Sequence, residues 1–145
     1  MKRATLLASI AAIVLTMIMM CAAGARADEG ADVDAAKAAA QAWLKRIDAG
    51  QYGQAWNSTS AFFRKAMPKE QFAHSLDIVR KPLGAVTSRK LKSAAYMTAI
   101  PNAPAGKYVV IQYATDFAGK KDGVETITPM LDKDGHWRVS GYYIR

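Results

Sequence analysis

Cysteine is nearly absent from this chain. Its 145 residues include one, Cys21, and only two histidines, His74 and His136. Cys21 ends an apolar N-terminal run. Once that run is removed there is no disulfide, no thiolate metal site and no cysteine nucleophile. Two distant histidines without a clustered third ligand make no metal site either. No phosphate-cradling glycine loop or dinucleotide fingerprint occurs, and Ser58, Ser60 and Ser75 sit in no nucleophile-elbow motif. No cofactor is therefore expected. Internal repeats and low-complexity segments are missing too.

What is present begins with an export signal. Lys2 and Arg3 form a positive start, Leu6 to Met20 is almost unbroken apolar sequence, and Ala25-Arg26-Ala27 supplies a small-x-small cleavage site. That three-part layout predicts a signal peptide over residues 1–27 and a mature chain from Asp28. Two alternatives compete. The apolar run could be a membrane helix, but it is slightly short for spanning and the polar DEGADVD stretch follows it. Cys21 could carry a lipid anchor, but Met20 stands where that processing wants a small residue. The expectation is a periplasmic or secreted protein with no stable membrane insertion after cleavage. Export without disulfides suits a bacterial periplasm.

Of 20 basic residues, Lys2, Arg3 and Arg26 leave with the signal; 17 remain against 12 acidic ones, a net charge of +5. The remaining chain is long enough for one domain with one core. Its positive balance is ordinary for solubility and also compatible with an anionic partner. The basic residues are scattered, and nucleic acid is not an expected partner.

Along the mature chain, Asp28 to Asp34 reads as a frayed acidic lead, and residues 35–145 as the domain. DAAKAAAQAWLKRIDAG predicts a helix capped by Asp34 and closed at Gly50, with Ala36, Ala39, Ala40, Trp43 and Ile47 on its core stripe. Tyr52 to Ser58 forms a second helix. A third starts at Pro68, buries Phe72, Leu76 and Val79, and stops at Pro82-Leu83-Gly84. From Ala85 onward the period alternates. Val86 to Met97, Lys107 to Phe117, Val124 to Leu131 and Trp137 to Arg145 are strand candidates. They are joined by loops at Pro101–Gly106, Gly119–Gly123 and the Asp134-Gly135 turn. Three helices followed by an antiparallel four-stranded meander is an α+β pattern.

Several stretches carry a family resemblance: AWLKRIDAGQYGQAW, VRKPLGAVTSRKL, KYVVIQYATDF and VETITPMLDKDGHWRVSGYYIR. Together they resemble the bacterial family called domain of unknown function 4019, over about Ala35 to Arg145. The resemblance implies an exported α+β domain of the cone type, a curved sheet over helices as in nuclear-transport-factor-2-like and cystatin-like proteins. It implies no particular function.

The open end of such a cone can serve binding or proton-transfer chemistry, and fold alone does not choose. Asp116, Glu125, His74 and His136 are the available acid–base groups. Glu125 is the catalytic candidate, because it shares a strand face with Ile127 and Leu131, with Tyr113 or Tyr142 as hydrogen-bond donor. In the competing reading it pairs with Arg138 or Lys107 on a solvated face. His74 could pair with Asp77 one turn away, and His136 flanks an exposed turn.

Arg80 and Arg89 flank a short helix-to-strand link and could clamp a carboxylate or phosphate together. Otherwise Arg80 answers the helix dipole and Arg89 lies on an edge strand. On the last strand, Trp137, Val139, Gly141 and Tyr143 form the more apolar face, expected to meet the helices. Tyr142 is then the exposed ring, open to a partner or a dimer mate. Arg80, Arg89, Tyr113 and Tyr142 are thus the ligand-binding candidates. The leading reading is a non-enzymatic module binding a small ligand or an envelope protein, with a homodimer through the sheet possible. The alternative is a small pocket enzyme using Glu125 and a tyrosine.

Overall fold

A computed structural model describes residues 26–145. The predicted signal segment through Ala25, Cys21 included, lies outside the described residues. Residues 26–48 are helical (α1), and Val33–Arg145 forms a compact unit. Within it follow α2 (Tyr52–Asn57), α3 (Ala61–Ala66) and α4 (Lys69–Leu83). Then come β1 (Val86–Met97), β2 (Tyr108–Phe117), β3 (Lys120–Leu131) and β4 (Trp137–Ile144). The strands form one open antiparallel sheet in the order β1-β2-β3-β4. Among the described residues the fold is α+β with four helices. Among the described residues no helix is long and apolar enough to cross a membrane.

The acidic lead differs from expectation: residues 28–34 are helical. Alanine-rich sequence favours helix. Gly50 closes α1 as predicted, with φ 70° and its N–H on the Ile47 carbonyl. The buried stripe of α1 is Ala36, Ala40, Trp43, Leu44 and Ile47.

The extra helix, α3, starts at Ser60, whose side chain accepts the Phe63 N–H at 3.1 Å. That is a standard N-cap. Helix α4 ends at Leu83 with Gly84 as its C-cap, as expected, and carries Pro82 inside its last turn. Its buried stripe is Phe72, Leu76 and then Arg80, whereas Val79 is exposed. An arginine thus continues an apolar stripe into the interior.

The sheet also departs from simple alternation. Lys120 to Gly123, expected as a loop, belong to β3, so β2 and β3 turn through Ala118-Gly119 alone. Gly119 is required there, because a Cβ would collide with the Pro82 carbonyl oxygen while its N–H bonds to the Leu83 carbonyl.

Each ladder carries a register shift. The one between β3 and β4 matters most. Ile127 pairs with Tyr142 and Pro129 with Val139, so β4 has one residue more than β3 between the pairs. A bulge of one residue reverses which side chains face inward beyond it. Val139 and Tyr142 therefore both face the helices, and Tyr143 is 51% exposed. The expected roles of the two tyrosines are exchanged. Trp137 packs against the core cluster, as expected. The outer edge of β4 is partly covered by the α2–α3 link, through a Thr59–Val139 bridge and a Ser60 N–H to Val139 bond.

Candidate functional site

Four of the candidate residues meet at one place, but they meet each other. Glu125, in the middle of β3, is 0% exposed. One of its oxygens accepts Arg89 Nε and Thr115 Oγ1, each at 2.7 Å. The other accepts the Tyr142 hydroxyl at 2.7 Å and an Arg89 terminal nitrogen at 3.2 Å. Arg80 lies 3.7 Å from the same oxygen. A buried carboxylate persists as an ion only with such pairing. The expected partners Arg138 and Lys107 are not the ones seen. Arg138 instead forks onto Asp134 at 2.8 Å and reaches Asp132 at 3.0 Å.

The two arginines do form a clamp, and the carboxylate they hold is Asp48, at the end of α1. Arg89 grips it at 2.7 and 3.0 Å, and Arg80 at 2.8 Å. Arg80 is 7% exposed, lies over the Phe117 ring, and also donates to the Tyr142 hydroxyl at 3.1 Å. Two carboxylates and two guanidiniums thus tie α1, α4, β1 and β3 together. Thr115 and Tyr142 add β2 and β4, so the cluster touches every strand. Burial and the charge of Glu125 push the Tyr142 hydroxyl far above the usual tyrosine range. It stays protonated and donates.

Asp48 shows two opposed effects. Burial alone would raise its carboxyl, but hydrogen bonds and charge from Arg89 and Arg80 outweigh this and hold it below 3.8. A folded-state value below the unfolded one adds stability above the unfolded pKa, and that stability is lost as pH falls through the folded value. Asp48→Asn should therefore destabilise the protein at neutral pH. The difference from wild type should shrink as pH falls below about 4. Urea unfolding at neutral and at acid pH measures it. A pH-independent difference would show that the Asp48 charge is not what matters.

The other candidates lie elsewhere. Tyr113 is buried on β2, and its hydroxyl has no hydrogen-bond partner among the described residues. Asp116 accepts the Asp122 backbone N–H at 2.9 Å. His74 is exposed, and Asp77 pairs with Lys81 at 3.6 Å rather than with it. His136 is exposed beside Asp134. Among the described residues no group of acidic, histidine or cysteine side chains is arranged to hold a metal ion.

Sequence reasoning misses Asp48 and Thr115. Asp48 carries one signal: an acid in the last turn of a helix opposes the dipole and needs another reason to be there.

The surface cavities among the described residues include three of similar size. One of about 260 Å³ runs between α3, α4 and the end of β4, walled by Phe63, Met67, Phe72, Val79 and Tyr143 among others. A second, of about 220 Å³, lies between α1 and the start of β4, beside Trp43 and Trp137. The third, also about 220 Å³, lies between α1 and the sheet at Arg89 and Tyr113.

No curated protein and no solved structure matches this chain. The sequence model of one family, described as "Protein of unknown function (DUF4019)", matches residues 39–142. That span starts in α1 before Asp48 and ends at Tyr142, and so takes in the whole charged cluster. The chain belongs to the DUF4019 family.

Proposed function

We propose that this protein is an exported, non-enzymatic module that binds a small ligand or an envelope protein. The observation that carries this reading is the saturation of Glu125. Acid–base catalysis needs a carboxylate that a substrate can reach. Here both oxygens are occupied by Arg89, Thr115 and Tyr142, and the residue has no exposed surface. The polar groups with the best credentials for chemistry hold the fold instead, and the surface cavities remain for binding. The register shift in each ladder supports the curved, cone-type sheet that the family resemblance implies.

Export rests on the N-terminal sequence, and the proposed mature chain begins at Asp28. Intact mass of the protein recovered from its host should equal residues 28–145. Added diacylglycerol on Cys21 would replace the soluble reading with a membrane-anchored one.

Native mass spectrometry of the same material tests the binding role. A noncovalent small molecule or protein partner is expected, and a recovered small molecule should keep its mass after incubation with fresh protein. Conversion to a product, or the absence of any bound species, would overturn the module reading.

A further inference from the structure

Tyr113 is 5% exposed, and its hydroxyl has no hydrogen-bond partner among the described residues. Leaving a buried hydroxyl unpaired is unfavourable, and such groups in native folds call for an explanation. Burial is the main influence on this hydroxyl and raises its pKa, while Gln41, Arg89 and Lys37 oppose the rise. Gln41 acts on the hydroxyl, but the two make no hydrogen bond of normal distance and angle.

Tyr113 also lines the third cavity, with Gln41, Leu44, Lys45 and Arg89. The three α1 residues fall on one helical stripe, so a single face of α1 forms one wall. Arg89 looks fully engaged but is not. A guanidinium has five N–H groups. Arg89 gives Nε to Glu125, one NH2 hydrogen each to Asp48 and Glu125, and NH1 only once, to Asp48. One NH1 hydrogen has no acceptor among the described residues. Lys45 is exposed and makes no side-chain hydrogen bond or ion pair among the described residues.

Unused donors thus gather at one cavity: an ammonium, one guanidinium N–H and a hydroxyl, with no free carboxylate among the lining residues. Leu44 and the Tyr113 ring give the same cavity an apolar wall. We propose that it binds a small organic carboxylate, held between Lys45, the free NH1 hydrogen of Arg89 and the Tyr113 hydroxyl, with its apolar body against Leu44 and the tyrosine ring. The hydroxyl is closed off from solvent, so the exposed Gln41 side chain swings aside as the carboxylate enters. A bare phosphate would leave the apolar wall and most of the cavity unfilled. This inference deepens the binding-module reading and rests on it.

The test is calorimetric titration of mature protein with benzoate, butyrate, neutral benzamide and inorganic phosphate. Wild type is compared with Lys45→Ala and Tyr113→Phe. At least one carboxylate should bind saturably, and each substitution should weaken it by about fivefold or more, the loss of one charge-assisted contact. Benzamide and phosphate should bind about tenfold more weakly than that carboxylate, or not at all.

Tyr113→Phe should melt at or above the wild-type temperature, because it removes an unpaired buried group. A lower melting temperature would mean that the fold already satisfies the hydroxyl, and would overturn the proposal. Saturable binding of neither carboxylate, or equal binding by both variants, would overturn it as well. Either result leaves the module reading standing. Conversion of a host-derived ligand, with carboxylate binding intact, would remove the module reading alone.

Discussion

Replacing Glu125 with alanine is expected to lower the unfolding free energy by about 3–5 kcal/mol, the usual cost of removing one partner of a buried ion pair. The loss comes mainly from what stays behind. Arg89 would keep Asp48 but lose both bonds to Glu125, and the Tyr142 and Thr115 hydroxyls would lose their acceptor. Stranded buried donors cost more than the net worth of the bonds they made. For a domain whose total stability is about 5–15 kcal/mol, that is enough to populate the unfolded state. Arg89→Ala should be milder, because Glu125 would keep Thr115, Tyr142 and the nearby Arg80. Urea unfolding of both variants provides the measurement. A change below about 1 kcal/mol for Glu125→Ala would mean that water or local rearrangement replaces the network, and a purely structural role would fail.

Much of this fold is legible in the amino-acid sequence, and the parts that are not have physical reasons. The span of β1, the end of α1 at Gly50 and the Asp134-Gly135 turn follow from local propensity and turn chemistry. Strict alternation carried through β4 exchanges Tyr142 and Tyr143. A bulge adds one residue and reverses every side chain beyond it; Gly141, which lies in the bulged stretch, is a local mark of it, but it does not say that the faces exchange. Helix α3 escapes sequence reading because one and a half turns give too little periodicity to register; its Ser60 cap is the available clue. The β2–β3 turn reads as too wide because Gly119 to Gly123 has loop composition. Its tightness is dictated by contact with the end of α4, which is tertiary information.

The charged cluster divides the same way. Arg80 and Arg89 are joined by a short link, so their proximity can be inferred. That Glu125 faces inward follows from its strand neighbours. Asp48 lies 32 residues before Arg80 and 41 before Arg89. No local pattern connects positions so far apart. Without Asp48 the two arginines resemble an empty clamp awaiting a ligand. With it they form a neutral four-charge set at the junction of α1, α4 and the sheet. A cluster of this kind adds little net stability, yet it disfavours any packing that would strand a charge. We expect its main effect to be on how uniquely the helices dock rather than on how tightly.

Trp43→Ala should produce the other large loss, about 3–5 kcal/mol, typical for deleting a large buried aromatic. Trp43 is the largest fully buried side chain of the α1 stripe. Its indole N–H donates to the Ala55 carbonyl at 3.1 Å, fixing α2 against α1. Its ring meets the edge of Tyr142 at 5.1 Å and lies 6.2 Å from Phe72. Truncation therefore opens a cavity, removes the bond from α1 to the Ala55 carbonyl (which keeps Ser58 as a donor) and frees Tyr142, the donor that Glu125 depends on. Neighbours in direct contact do not behave independently, so Trp43→Ala combined with Tyr142→Phe should cost less than the sum of the two. Trp43→Phe keeps most of the burial and should fall between wild type and alanine. For a domain of this size the alanine variant should melt roughly 10–20 °C lower. A shift under about 2 °C would show that α1 is not anchored to the sheet through this side chain. An additive double variant would show instead that the aromatic contact and the charged cluster are energetically separate.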